Sequence, residues 1–419
     1  MRIGIIGGGA SGLTTAWLLD GHHDVILFEK QARLGGHAQT IEVEQEGRSI
    51  GIDAGFEFFS PTMFPVFTRL LKCLGVALHR FPLTVTFSTT DHRRVSLLPP
   101  IRNGRVSWSA FAPRPLAELL QFQHVVNRSA ALIQSQDTSL TLEQFLTPLP
   151  LTDAFKSDFL YPIMLAGWCL EMDEFKGFSA YNVLSYFFLN RPSGITAKPW
   201  IEVEGGTQVY IQALTQLLAR TQLKLQATIT RVARSGAAYV VHLADGSAYE
   251  FDHLVLATNA AEARALLAHL DDRETLTHLL GAFEYFKTTI AVHGDQRLMP
   301  AKKNHWSVVN IRFDGKHSST TMWKHWKSRT PILRSWITYE DRLPEPLFAL
   351  ATYSHPKVTP TYFRAQAELA AFQGQDQLWL AGIYTQGLDC HESAIRSAIK
   401  VAQQLAPHSI RLKTLLSSG

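Results

Sequence analysis

The chain has 419 residues, 46% of them hydrophobic and 18% charged, enough for two intimately joined domains and without low-complexity or like-charge runs. Forty Lys and Arg against 36 Asp and Glu leave +4, too weak and too dispersed a charge for a nucleic-acid binder. The three cysteines, Cys73, Cys169 and Cys390, have no C-x-x-C spacing, which argues against a disulfide framework, a zinc ribbon or a dithiol centre and points to a reducing compartment, the cytoplasm.

The opening stretch, MRIGIIGGGASGLTTAWLL, is apolar enough to suggest a signal peptide or a membrane anchor. Four glycines, Gly7, Gly8, Gly9 and Gly12, interrupt it, each costing a free helix about 1 kcal/mol relative to alanine. It also falls short of the roughly 18–20 apolar residues that span a bilayer. Read as a strand over Arg2–Ile6, a turn Gly7-x-Gly9-x-x-Gly12 and a helix through Leu19, every residue has a role. The first glycine permits the turn, the second lets the backbone approach a pyrophosphate, and the third lets helix pack on strand. The helix N-terminus then offers N–H groups to phosphate. HDVILFEK follows as a second buried strand whose Glu29 is placed to accept hydrogen bonds from a ribose diol.

Just beyond it, EKQARLGGHAQT carries Arg33 and the pair Gly35-Gly36, a guanidinium and bare amides suited to an anion. GIDAGFEFF comes next, with Gly55 and Phe56 at its centre. Later, ITRVARSGAAYVVHLADGSAYEFDHLVLATN reads as two alternating strands joined at Asp245-Gly246 and then a buried strand. QLWLAGIYTQGLDCHESAIRSAIKVAQQL closes the pattern as strand, glycine, loop and long helix.

These segments, in this order, resemble the flavin-containing amine oxidase superfamily, which includes protoporphyrinogen oxidases and phytoene-desaturase-like enzymes. The resemblance implies FAD as cofactor and an α/β fold: a Rossmann-like FAD-binding domain, with a parallel sheet and a β-hairpin layer, joined to an α+β substrate domain. It places Gly7, Gly9, Ser11 and Gly12 at the pyrophosphate, Glu29 and Lys30 at the adenosine ribose, and Arg33, Gly35, Gly36 and His37 along the ribose–pyrophosphate or ribityl chain. Gly55 and Phe56 pass beside the isoalloxazine, and Val232 lies against adenine. Ala257 and Thr258 turn over the cofactor, and Gly382 with His391, Ser393, Ala394 and Ile395 reaches the flavin. FAD segments are then expected from 1–60, 200–262 and 375–419, with a substrate domain from 61–199 and 263–374.

Further segments, GGHAQT and HPKVTPTYFRAQAELAAFQGQDQLWLAG among them, resemble a bacterial subfamily of NAD/FAD-binding oxidoreductases associated with cyclopropane-fatty-acid and other lipid-modifying enzymes. The subfamily's Gly-Phe-His-Glu-Asp-Gly reads here Leu388-Asp389-Cys390-His391-Glu392-Ser393-Ala394, losing a glycine and an acid, a departure that bears on substrate rather than on flavin. The expected activity is hydride transfer between flavin and an apolar substrate, a lipid acyl chain or an isoprenoid. The rivals are an amine oxidase and a non-redox flavoprotein, either an isomerase or the FAD-binding partner of a lipid-modifying enzyme.

Three residues are candidates for chemistry. YFKTTIAVHGD resembles the amine-oxidase strand whose lysine holds a water at flavin N5, which nominates Lys287 against the plainer reading of a strand lysine in solvent. His391 and Glu392 are candidate proton donors, or else caps that orient the helix. Cys390 reads as a buried bystander thiol, and the His305, His325 and tryptophan group as core and cavity wall rather than a metal site. Peripheral membrane contact is compatible with an apolar substrate, although no clear amphipathic anchor is evident.

Overall fold

In the computed structural model, which describes residues 1–45, 47–91, 94–102, 105–191 and 199–417, the opening strand Arg2–Ile6 sits at the centre of a five-stranded parallel sheet. Its neighbours are Asp24–Phe28 on one side and His253–Leu256 on the other, with Gln222–Lys224 and Leu378–Leu380 at the edges. Strands distant in sequence therefore meet in one sheet. Both faces are covered, which is why the central strands read as continuous apolar runs rather than as alternation. The helix Ala10–Leu19 is buried at every residue, packed between this sheet and the C-terminal helix His391–Leu405. The strands Ile229–Ser235, Ala238–Leu243 and Ala248–Phe251 form the antiparallel hairpin layer; the Asp245-Gly246 signal joins the second and third, and the stretch holds a further strand before them.

A seven-stranded mixed sheet forms the second body. It runs Leu347–Pro356, Tyr285–His293, Leu333–Trp336, Ser318–Trp323, Val309–Phe313, Val85–Thr89 and Val95–Leu98. Helices Pro113–Gln134 and Ala180–Leu189 pack on each other beside it. Among the described residues no helix is long and apolar enough to cross a membrane.

A buried ion cluster ties the two bodies together. Lys324, just after the strand Ser318–Trp323, donates to Glu202 Oε2 at 2.6 Å and lies 3.5 Å from Glu57 Oε2. Trp326 Nε1 donates to the other Glu202 oxygen at 2.7 Å. Arg334 donates to the Ala54 carbonyl at 2.9 Å and stands 3.8 Å from Glu57. Burial alone would lower the Lys324 pKa, but Glu57 and Glu202 more than offset it and hold the ammonium charged. Removing one partner from such a group leaves an uncompensated buried charge. Lys324→Met is expected to cost about 3–5 kcal/mol in urea unfolding. Lys30→Met, at an exposed pair with Glu262, should cost less than about 1 kcal/mol.

Candidate active site

The glycine turn is built by contact between backbones. A Cβ on Gly12 would lie 1.9 Å from the Gly7 carbonyl oxygen, so only glycine lets the helix start this close to the strand. Gly9 caps that helix with no side-chain hydrogen bond, and a Cβ there would meet no heavy atom within 4 Å. The first N–H groups of the helix, which lack intrahelical partners, therefore open onto space. Ser11 is buried in this first turn. The second glycine pair clasps the first: Gly35 N–H donates to Gly8 O at 2.8 Å, and Arg33 donates to Gly36 O at 3.0 Å and Gln39 Oε1 at 2.9 Å. Glu29 accepts one N–H on each oxygen, from Gly8 and from Gln31, both at 2.8 Å, and keeps further lone pairs for a ligand. Lys30 instead pairs with Glu262 at the surface. Ala257 N–H donates to Ile6 O at 2.7 Å, which lays the Ala257–Thr258 turn over Gly7.

Beyond the turn, His37 and the Gly55 loop meet the strand Leu347–Pro356 of the second sheet, and the ring contacts and unpaired polar groups there lead us to infer a chamber. His37 is exposed, yet its ring stacks on Tyr353 at 4.9 Å and desolvation lowers its pKa. Its free surface thus faces an interior space. A Cβ on Gly55 would lie 2.0 Å from His37 O, which fixes the approach of this loop. Tyr353, His355, Trp336 and Phe286 continue the wall, with the His355 and Trp336 rings stacked at 5.7 Å. Burial drives His355 down to about 3. Thr288 Oγ1, Trp336 Nε1, His355 Nε2 and Tyr384 OH are all buried without a hydrogen-bond partner. Native interiors seldom leave such groups unpaired, and Thr288, Trp336 and His355, gathered about Tyr353, mark a place for a ligand.

The C-terminal helix closes one side. Gly382 N–H donates to Ser397 Oγ at 2.9 Å, and Ser393, Ala394 and Ile395 are buried in the helix's first turns. The His391 ring stacks on Phe56 at 4.2 Å, nearly parallel, and shares a 2.7 Å hydrogen bond with Tyr210 OH. Burial lowers its pKa to about 3, so at neutral pH it is an uncharged stacking group without a proton to give readily. Glu392 is not a free acid either. Its two oxygens accept N–H groups of Val66 at 3.1 Å and Phe67 at 2.8 Å, capping the helix Pro65–Cys73, and Arg396 pairs with it. The geometry is that of a cap, but of the helix Pro65–Cys73 rather than of the helix that Glu392 itself begins. The Cys390 thiol is buried and pushed up to about 12.

The model of the flavin containing amine oxidoreductase family matches residues 10–292. The chain belongs to that family. A CLA-producing fatty acid isomerase from P. acnes has a similar structure, with a TM-score of 0.70 and 16% identity over 96% of this chain and 98% of that one. Cyclohexylamine oxidase from Brevibacterium oxydans IH-35A follows at 0.67 and 15%, over 97% and 98%. A putrescine oxidase triple mutant gives 0.66 and 12%, over 97% and 99%. At these identities the likeness is one of fold. No curated protein matches the sequence.

As a flavin-containing amine oxidoreductase the protein takes FAD, and the residues present fit it. The uncapped start of the helix Ala10–Leu19 would hold the pyrophosphate, Glu29 the ribose diol, and the chamber of His37, Gly55, Phe56 and unpaired polar groups the isoalloxazine. Two expected residues fall elsewhere. Val232 has no accessible surface, being packed in the core of the hairpin layer, so it offers nothing to adenine. The chain beside Glu29 is Ala227–Thr228, where Ala227 N–H donates to Glu29 O at 2.9 Å and Thr228 is exposed. Lys287 is also displaced. It pairs with Ser354, whereas the neighbouring pairs Phe286–His355 and Thr288–Tyr353 carry the chamber wall. Alternation along a strand puts Lys287 on the opposite face, where it is exposed.

One polar group escaped the sequence reading. Asp389 sits just before the C-terminal helix and accepts from Trp168 Nε1 at 3.0 Å, Asn182 Nδ2 at 2.8 Å and Tyr186 OH at 3.2 Å. Burial nevertheless raises its pKa to about 6, the hydrogen bonds opposing the shift. Its only trace in the sequence is the departure from the subfamily's glycine.

Gly9→Ala tests the cradle. With φ −77° alanine fits the backbone, so the apoprotein should melt close to the parent while FAD binding, measured by fluorescence titration, weakens about tenfold or more. For Asp389 the folded pKa lies above the unfolded one, so its stabilising effect is complete below about pH 4 and disappears as pH rises through about 6. Urea unfolding from pH 4 to 7 should show the parent losing about 2 kcal/mol relative to Asp389→Asn.

Proposed function

We propose that this flavin-containing amine oxidoreductase acts on a largely apolar molecule, a lipid acyl chain or an isoprenoid. The observation that carries this reading is the chamber wall: aromatic rings of Tyr353, Trp336 and Phe286, with His37, His355 and His391 all shifted toward their neutral forms by burial. FAD, when bound, supplies the two-electron exchange. The chain's own residues orient the substrate against the rings and exclude water from it. Two carboxylates that could pair with an ammonium group are already engaged. Glu57 is engaged by Lys324 and Arg334, and Glu392 by backbone amides, while the buried Arg334 guanidinium beside Ala54 would repel a cation.

The resemblance to lipid-associated oxidoreductases supports an acyl chain in particular, with a lipid-modifying enzyme as the partner. A fatty acid isomerase shares the fold, which makes double-bond migration the second activity to test.

The decisive measurement is the visible spectrum of the purified holoenzyme, mixed anaerobically with unsaturated phospholipid and, separately, with polyamines. Bleaching of the oxidised-flavin bands by lipid alone is the expected result. Bleaching by polyamines alone would assign an amine oxidase instead. An unbleached flavin with a shifted double bond in the recovered lipid would assign an isomerase.

A further inference from the structure

The helix Pro113–Gln134 has two apolar faces, and the fold covers only one. Val125, Val126 and Leu132 are buried, and the Phe122 ring meets Phe187 of the helix Ala180–Leu189 at 5.9 Å. On the other side Leu116, Leu119 and Leu120, at the i, i+3 and i+4 spacing of a single face, are exposed, Leu120 at 65%. Immediately before them Trp108 is 79% exposed, and Val106 and Phe111 are exposed as well. Isolated exposed apolar residues are ordinary; six within fifteen residues, including a tryptophan, mark an interaction surface.

The charges around it select the partner. Between residues 92 and 136 the sequence carries six arginines, Arg93, Arg94, Arg102, Arg105, Arg114 and Arg128, no lysine, and one acid, Glu118. That acid is buried and spent on Arg94 at 2.6 Å and Arg114 at 3.1 Å. Arg114 also meets Asp158 at 3.4 Å, Arg128 is exposed, and the stretch as a whole is basic in sequence. An excess of arginine disfavours a two-fold contact between copies of this chain, whereas an anionic bilayer suits both the basic sequence and the exposed apolar side chains. Exposed tryptophan and leucine close together in an arginine-rich stretch is the composition of a segment lying in the plane of a membrane interface.

We propose that Trp108, Phe111 and the first two turns of the helix Pro113–Gln134 dock the protein on an anionic lipid bilayer. The docking is peripheral and reversible, and it is independent of which molecule the flavin oxidises. The same face would bring a membrane-resident substrate to the enzyme.

The test uses the FAD-loaded full chain in co-sedimentation with vesicles of phosphatidylcholine alone and of phosphatidylcholine with equal phosphatidylglycerol, at low and high salt. The expected result is binding to the anionic vesicles that falls as salt is raised. Leu120→Glu should weaken it about tenfold, with flavin content and circular dichroism unchanged because the side chain touches no core. Trp108→Phe should remove a blue shift in tryptophan emission seen on vesicle addition. No vesicle binding, or equal binding to both compositions, would overturn the proposal. So would a Leu120→Glu variant that binds vesicles as the parent does. Concentration-dependent self-association that Leu120→Glu abolishes, without vesicle binding, would assign the surface to a second copy instead.

Discussion

A methyl group on Gly12 would stand 1.9 Å from the carbonyl oxygen of Gly7, and one on Gly55 would stand 2.0 Å from that of His37. These two close approaches of backbone to backbone set the geometry of the rest. The first lets the helix Ala10–Leu19 begin directly above the sheet, so that its N-terminal amides face open space without a side-chain cap. The second brings the Ala54–Phe56 loop under His37 and holds the chamber at a fixed width. Neither contact tolerates a side chain, and neither can relax without separating a strand from the element packed on it.

The polar groups of the site follow from burial. Desolvation disfavours the charged form, so the imidazoles of His37, His355 and His391 move toward neutrality and the carboxyl of Asp389 toward protonation. The charges that remain are paired: Lys324 with Glu57 and Glu202, Glu392 with amides and Arg396. The result is an interior wall with aromatic character, held by an ion cluster set just behind it. The outer face at Trp108 and Leu120 has the opposite design, with apolar side chains in solvent on an arginine-rich stretch of the sequence.

Much of this protein is determined by sequence alone. The glycine spacing, the acid at the end of the second strand and the Gly35-Gly36 pair specify the dinucleotide fold because each constrains backbone geometry over a few residues. The apolar runs likewise identify the central strands, and the C-terminal segment identifies a helix beginning at the site.

What tertiary structure decided was direction and company. Lys287 lies on the expected strand, but its face is set by pairing with Ser354, some sixty residues away. Val232 lies in the expected hairpin, but burial of its side chain in the core leaves Ala227–Thr228 as the chain beside Glu29. Glu392 became a cap because the helix Pro65–Cys73 presents its amides there, and Asp389 acquired its raised pKa from burial among distant helices and loops, against the hydrogen bonds that Trp168, Asn182 and Tyr186 give it. Local pattern fixes the path of the backbone. The role of a side chain depends on neighbours that only the folded chain brings within reach.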